Sequence, residues 1–134
     1  MRRGRKRGTL APALELCYAR QRRSEPDVAP GIRTALIGVR GGLRIYAVDG
    51  LRVRNEVHQD FTCGGSDARY SYIPRNEVWI DGCLGAVDRE ATILHELTER
   101  AAMLRGASYD EGHARANEVE QAWRKQYGQF RGAA

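Results

Sequence analysis

Two helix-boundary signals that stand almost side by side constrain the fold of this chain most. The first helix is predicted to begin at Asp88, which is a good N-cap, and to run to about residue 105. Gly106 then stands where this helix needs a left-handed C-terminal cap. Ser108 and Glu111 then match the S-x-x-E capping box, in which each side chain satisfies a free backbone N–H at the start of a second helix, which can extend to about residue 127. Because only about three residues separate the two helices, they must run antiparallel as a hairpin.

Residues 43–81 carry the pattern of short β-strands. Leu43–Val48 follows a period of two, and Asp49-Gly50, which supplies the positive φ angles of a tight turn, joins it to Leu51–Val57. We therefore expect a β-hairpin at this turn. Tyr70–Ile73 and Glu77–Ile80 are two further β-forming runs. Together these runs predict a small antiparallel sheet and, with the helical hairpin, an α+β fold.

The N-terminal part of the chain divides into three predicted segments. Residues 1–9 form a disordered basic arm, residues 10–23 a short helix, and residues 24–31 a connector that is interrupted by prolines. The length of 134 residues fits one α+β domain over residues 10–134. No internal repeat is visible.

The net charge of +5 is located in the arm. The arm holds five of the 22 basic residues, which leaves 17 basic against 17 acidic residues in the rest of the chain. Such a segment either contacts nucleic-acid phosphates as a salt-sensitive tether or is simply a solvated tail. The candidate phosphate contacts are Arg2, Arg3, Arg5, Lys6 and Arg7.

Several classes of protein are excluded by the sequence. No apolar run approaches the roughly 18 residues that a membrane span needs, and no apolar signal segment follows the basic arm, so we expect a cytoplasmic protein with no membrane partner. The three cysteines, Cys17, Cys63 and Cys83, are far apart and form no CxxC pair, which argues against a disulfide framework and a thiolate-rich zinc knuckle. Cys63 and Cys83 as additional metal ligands are a minor alternative.

Potential metal ligands occupy one stripe of each predicted C-terminal helix. On the first helix Leu94, Leu97, Ala101 and Leu104 form the expected core face, while His95 and Glu99 lie one turn apart on another face. His113 on the second helix falls at about the level of Glu99 when the hairpin is paired. Two imidazoles and one carboxylate with a fourth open position are typical of a catalytic zinc site. A charged network without metal is the alternative.

Three further polar residues complete this predicted site. Glu96 follows the first ligand directly and can take a proton from the water that zinc activates. Asn117 and Glu120 share the face of His113 and are candidates for orienting a ligating imidazole, although a solvated helix face explains them equally well.

The segment from Val87 to Glu120 resembles a group of small bacterial, archaeal and phage-associated proteins with a HEL-x-ER helix, a G-x-x-Y-D turn and an AH-x-x-A-x-x-x-E-type second helix. Tyr72–Asp81 is similar to the strand that precedes this helix in the group. The group in turn resembles zincin-like metallopeptidases, in which an edge strand receives the substrate backbone. The resemblance implies metal ligation by His95, Glu99 and His113, a general base at Glu96, and a substrate-side strand formed by Val78, Trp79 and Ile80.

This sequence departs from the group at two positions, because Thr98 and Ser66 stand where the resemblance leads us to expect histidines. The resulting hypothesis is a minimal zincin-like zinc hydrolase carrying an HExxE motif and acting on a peptide or protein, with an oligomer or a partner completing its groove. The alternative is a non-enzymatic, phage- or mobile-element-derived protein whose helical hairpin and basic arm bind a protein or nucleic acid. A zinc ion that only pins the two helices together is a third possibility.

Overall fold

The computed structural model describes residues 24–132, and the side chains of residues 24–127. The predicted N-terminal helix over residues 10–23 and the basic arm over residues 1–9 lie outside the described residues. The described elements, in chain order, are strand β1 (Arg33–Arg40), strand β2 (Leu43–Val48), the short helix α1 (Gly50–Arg52) with a π-helical turn (Val53–Val57), strand β3 (Gly64–Ser66), strand β4 (Glu77–Asp81), helix α2 (Ala86–Leu104) and helix α3 (Tyr109–Gly132). The α+β class is confirmed.

The C-terminal helical hairpin forms as predicted. Gly106 has the left-handed φ of +107° that ends the first helix. The capping box is present: the Glu111 amide donates to Oγ of Ser108 at 3.1 Å, and the Ser108 amide donates to Oε1 of Glu111 at 3.4 Å. Helix α2 begins at Ala86, so Asp88 lies in its first turn instead of capping it. Helix α3 extends five residues beyond the predicted end, to Gly132.

The four-stranded sheet has the order β1-β2-β4-β3 and is mixed, so the prediction of an antiparallel sheet was wrong. Strands β1 and β2 pair antiparallel, as do β3 and β4, but β2 and β4 pair in parallel. The parallel pair is possible because the long connection over residues 49–76 returns the chain to the starting end of the sheet before β4 begins. Strand β1 lies in a segment where no strand was predicted.

The predicted β-hairpin at Asp49-Gly50 was also wrong. The carboxylate of Asp49 accepts a hydrogen bond from the Arg52 amide at 3.1 Å and so caps α1. Asp-Gly therefore starts a helix here, since an aspartate side chain can serve as an N-cap as readily as it can shape a turn. The observed hairpin joins β1 to β2 through Gly41 and Gly42, whose φ angles are +54° and +82°.

The predicted strand over Tyr70–Ile73 is a series of turns. The amide of Tyr70 donates to the carbonyl of Ser66 at 3.0 Å, and the amide of Ile73 donates to the carbonyl of Tyr70 at 3.2 Å. Local hydrogen bonds therefore satisfy this backbone in place of a sheet ladder. The turns bring the ring of Tyr70 beside Gly65 of β3, and the ring of Tyr72 stacks on Tyr70.

Two apolar clusters cover the two faces of the sheet. One contains Ile32, Val48, Val53, Phe61, Ile73 and Trp79. The other contains Ile45, Val78, Ile80 and Ile93, with Leu84 and Leu97 packed against it. Because Ile93 belongs to α2, this helix lies on the second face of the sheet. No helix in the described part of the chain is both long and apolar enough to cross a bilayer.

The predicted core stripe of α2 was wrong. Leu94, Leu97, Ala101 and Leu104 are only partly buried. The buried positions are Ala91, Thr92, Ile93, His95, Glu96, Glu99 and Ala102. Helix α2 is enclosed between the sheet and α3, and the small side chains of Ala91 and Ala102 leave room for polar groups between them. The helix therefore turns its ionisable face inward.

Candidate metal centre

Helices α2 and α3 bring the three predicted metal ligands together. Oε2 of Glu99 accepts hydrogen bonds from Nε2 of His95 at 3.2 Å and from Nδ1 of His113 at 2.9 Å. The one-turn spacing of His95 and Glu99 places both on one face of α2, and antiparallel pairing brings His113 to the same level. His95 and Glu99 are buried, whereas His113 is partly exposed.

This arrangement could hold a metal ion. The candidate ligand atoms of His95, Glu99 and His113 all lie within 4.8 Å of one another. Ligands at about 2.0–2.2 Å from a tetrahedral zinc ion lie roughly 3.4 Å apart, so small side-chain movements suffice to enclose one. Two imidazoles and a carboxylate are a donor set that zinc accepts, and neither Cys63 nor Cys83 belongs to this group among the described residues.

A chain of ionic hydrogen bonds supports His95 from the side opposite to Glu99. Nδ1 of His95 donates to Oε1 of Glu120 at 2.9 Å. Oε2 of Glu120 accepts from Nε of Arg124 at 2.9 Å, and Nη1 of Arg124 donates to Oδ1 of Asp88 at 2.8 Å. Glu120 is therefore well placed to orient the imidazole. Asn117 lies one turn before Glu120 on α3 and is not among the residues that line the site.

These contacts change the ionisation of the site residues. The hydrogen bond with Glu99 raises the pKa of His95 above its usual value, against the effect of burial. Burial opposes the charge on Glu99, but the hydrogen bonds from His95 and His113 hold the pKa of its carboxyl below the usual value. In the metal-free state, the cluster therefore favours an ionised Glu99 beside a protonated imidazole.

Glu96 points into the same cavity with its carboxyl group unengaged. The residue is 7% exposed, and none of the side chains described by the structure forms a hydrogen bond with it. Burial, with the negative charge of Glu99 adding to it, raises the pKa of Glu96 to about 8. A buried carboxyl without a protein partner is available to a water molecule or a substrate.

The cavity above these residues has a volume of about 200 Å³. Beside the predicted residues, its wall is formed by Thr62, Cys63, Gly64, Tyr70, Thr92, Tyr109 and Arg124. Sequence reasoning missed Gly64 and the two tyrosines. The Gly64-Gly65 pair was a signal that could have identified a close approach, because a Cβ atom on Gly64 would lie 2.9 Å from Cγ2 of Thr92 and 3.2 Å from Cγ of Glu96.

The predicted substrate-side strand, Val78, Trp79 and Ile80, was assigned to the wrong position. These residues lie in β4, which pairs with β2 on one side and with β3 on the other, and all three are buried. Their backbone groups are therefore engaged in the sheet. The strand at the edge of the sheet beside the cavity is β3.

Comparison of the chain with models of protein families, with curated proteins and with solved structures returns no match. The function is therefore inferred from the geometry and chemistry of this site.

Proposed function

We propose that this protein is a zinc-dependent hydrolase of minimal zincin type that acts on peptide bonds. The observation that carries the proposal is the convergence of His95, Glu99 and His113 beside the buried carboxyl of Glu96 in one cavity. These three residues would hold the ion. When bound, zinc supplies a Lewis acid that polarises a carbonyl and activates water.

Glu96 acts as the general base in this proposal. Its carboxylate takes a proton from the attacking water as the new C–O bond forms, and returns that proton to the amine nitrogen as the C–N bond breaks. The position supports this role, because Glu96 faces the cavity and has no hydrogen-bond partner among the described side chains. Glu120 orients His95 through Nδ1 and leaves Nε2 facing Glu99, where the ion would be held.

A peptide substrate is favoured by the outer edge of β3, which pairs with no other strand in the described part of the chain. The carbonyl of Cys63 accepts a hydrogen bond from the Asp81 amide, and the Asp67 amide donates one to the Glu77 carbonyl. The backbone N–H and C=O groups of alternate residues along β3 therefore point towards β4. The N–H and C=O groups of Gly64 then point to the outer edge, where Gly64 lines the cavity. An extended peptide can add to this edge by main-chain hydrogen bonds.

The metal content of the tag-free protein tests the proposal. Mass spectrometry should find about one zinc ion per chain in the parent and none in His95→Ala, because loss of one of three protein ligands opens the site. His58→Ala is the matched control, since His58 is exposed and is not among the residues lining the cavity. A parent chain that takes up no zinc from a micromolar solution overturns the proposal and favours the alternative, a binding protein that acts through the helical hairpin and the basic arm.

A further inference from the structure

Arg69 is held at the mouth of the candidate site by two aromatic rings. Its guanidinium carbon lies 3.8 Å from the ring centre of Tyr109 and 5.5 Å from that of Tyr70. Both tyrosines line the cavity. The ring of Tyr109 stacks in turn on His113, with 5.4 Å between centroids and an interplanar angle of 27°. A continuous stack therefore leads from Arg69 to a proposed metal ligand.

The backbone that carries Arg69 is fixed close to β3. The amides of Arg69 and Tyr70 both donate to the carbonyl of Ser66, at 3.2 and 3.0 Å. The turn is short and follows β3 directly, so it brings Arg69 beside the two tyrosines that line the cavity. The position of Arg69 is thus fixed both by the backbone hydrogen bonds of the turn and by the stacking of its side chain.

Most of the hydrogen-bonding capacity of Arg69 is left open by these contacts. Stacking covers a face of the guanidinium, and one of its five N–H donors is engaged by the hydroxyl of Tyr109, whereas the other donors lie in the guanidinium plane away from the stacked face. Among the side chains of residues 24–127, no carboxylate lies within ion-pair distance of Arg69, and the residue is exposed. A planar fork of this kind binds a carboxylate through two parallel hydrogen bonds.

The distribution of charge along the cavity makes the position of Arg69 selective for a negatively charged group. At the inner end the carboxyl groups of Glu99 and Glu120 are already paired with His95, His113 and Arg124. The guanidinium of Arg69 has no carboxylate partner among the described side chains, so it attracts a negatively charged group to the mouth, beyond Tyr109. The stack places the guanidinium carbon of Arg69 no more than about 9 Å from the centre of the His113 ring. Because an extended peptide advances about 3.3 Å per residue, a group at Arg69 lies about two to three residues from a bond hydrolysed beside His113.

We infer that Arg69 binds a carboxylate of the substrate, and that the site acts on peptides carrying a carboxylate about two to three residues from the hydrolysed bond. The inference rests on the proposed hydrolase function and names its substrate class. The carboxylate can be a chain terminus or an acidic side chain, since the same two hydrogen bonds recognise both.

Matched peptides distinguish these two sources. The zinc-loaded full chain is incubated with four alanine-based hexapeptides that differ only in Asp against Asn at one position and in a free against an amidated C-terminus. We expect kcat/KM for at least one carboxylate-bearing peptide to exceed that of the neutral peptide by about tenfold or more, in line with a charge-assisted pair. The peptide that is preferred identifies the source.

Arg69→Gln is the deciding variant. It should remove the difference between the charged and neutral peptides, and Arg69→Lys should restore part of it. Arg115→Gln is the matched control, because Arg115 is exposed, pairs with Glu118 at 3.4 Å and is not among the residues lining this cavity. Equal rates on all four peptides in the parent, or an undiminished preference in Arg69→Gln, would overturn the inference.

A binding measurement separates this result from failure of the proposed function. Calorimetry with the same four peptides and the zinc-loaded Glu96→Gln protein should show about tenfold tighter binding of the carboxylate-bearing peptide, lost when Arg69→Gln is added. If the parent hydrolyses nothing but this binding difference is found, the hydrolase proposal fails and the carboxylate site stands. If neither peptide class binds more tightly, the carboxylate site is wrong whether or not the chain is a hydrolase.

Discussion

Nδ1 of His95 and Oε1 of Glu120 lie 2.9 Å apart and join α2 to α3 across 25 residues of sequence. The carboxylate fixes the ring so that Nε2 faces Glu99. This is the support that a ligating imidazole commonly receives from a neighbouring acceptor, and it raises the basicity of the ring. The strength of metal binding should therefore depend on Glu120 although Glu120 does not belong to the ligand group.

Replacement of Glu120 by alanine is expected to weaken zinc binding by about 10–100-fold while one zinc site per chain remains. The dissociation constant can be measured by competition with a chromogenic chelator. Glu118→Ala is the control, because Glu118 lies two residues away on the same helix and its side chain is exposed. An affinity equal to that of the parent would show that Glu120 has only a structural role.

The variant Glu96→Gln should retain zinc and lose hydrolysis by about 100-fold or more, because the amide cannot accept the proton of the attacking water. Metal content and peptide cleavage are measured on the same preparation. The amide has nearly the same shape as the carboxyl, so the cavity should be unchanged. A variant as active as the parent removes Glu96 from the mechanism, and loss of zinc would instead make it a ligand.

Gly64→Ala should lower the free energy of unfolding by about 1–3 kcal/mol, as expected when a well-packed contact is overfilled. The added Cβ would lie 2.9 Å from Cγ2 of Thr92 and 3.0 Å from the carbonyl oxygen of Trp79. Urea denaturation followed by tryptophan fluorescence measures the change. Gly38→Ala, whose added Cβ would meet its nearest atom at 3.5 Å, should be much less harmful.

The buried carboxylate of Glu77 is expected to be important for stability. It accepts two hydrogen bonds from Arg33, at 2.9 and 2.7 Å, and one from the indole of Trp79 at 3.0 Å. Glu77→Ala should lower the free energy of unfolding by about 3 kcal/mol, because a charged donor and a buried indole lose their acceptor. The exposed pair Arg115–Glu118 is the comparison, for which Glu118→Gln should cost less than about 1 kcal/mol.

Tyr72 should make the stability of the protein sensitive to alkali. Burial raises the pKa of its hydroxyl above the usual value, so the folded state keeps the proton at a pH at which the unfolded chain loses it. The free energy of unfolding should therefore fall as the pH rises through about 10, the unfolded pKa. Urea titrations at neutral pH and near pH 11 measure this slope.

Tyr72→Phe should reduce that slope. Its hydroxyl is buried and has no hydrogen-bond partner among the described residues, while its ring stacks on Tyr70 and His58. Phenylalanine keeps the stacking, so the stability at pH 7 should be unchanged or raised by up to about 1 kcal/mol. A marked loss at pH 7 would indicate that the hydroxyl has a partner.

The parts of the fold that were predicted correctly depend on neighbouring residues. The hairpin follows from Gly106 and the pairing of Ser108 with Glu111, which are local signals. The convergence of His95, Glu99 and His113 then follows from helix geometry alone. These features need no knowledge of the rest of the chain.

The features that were predicted wrongly depend on distant residues. Asp49-Gly50 is compatible with both a turn and a helix cap, and only the parallel pairing of β2 with β4 decides between them. The inward face of α2 likewise depends on Gly64, which lets β3 approach Thr92 and Glu96. Periodicity within the helix carries no information about which partner covers which face.

The hairpin also has a consequence for the order of folding events. The three donor atoms all lie between His95 and His113, and one short turn brings them together. Local contacts of this kind form faster than the pairing of β2 with β4, which must first close the long connection between them. We therefore expect the donor cluster to assemble before β4 pairs with β2, so that metal present during refolding accelerates the early phase and leaves the later phase unchanged.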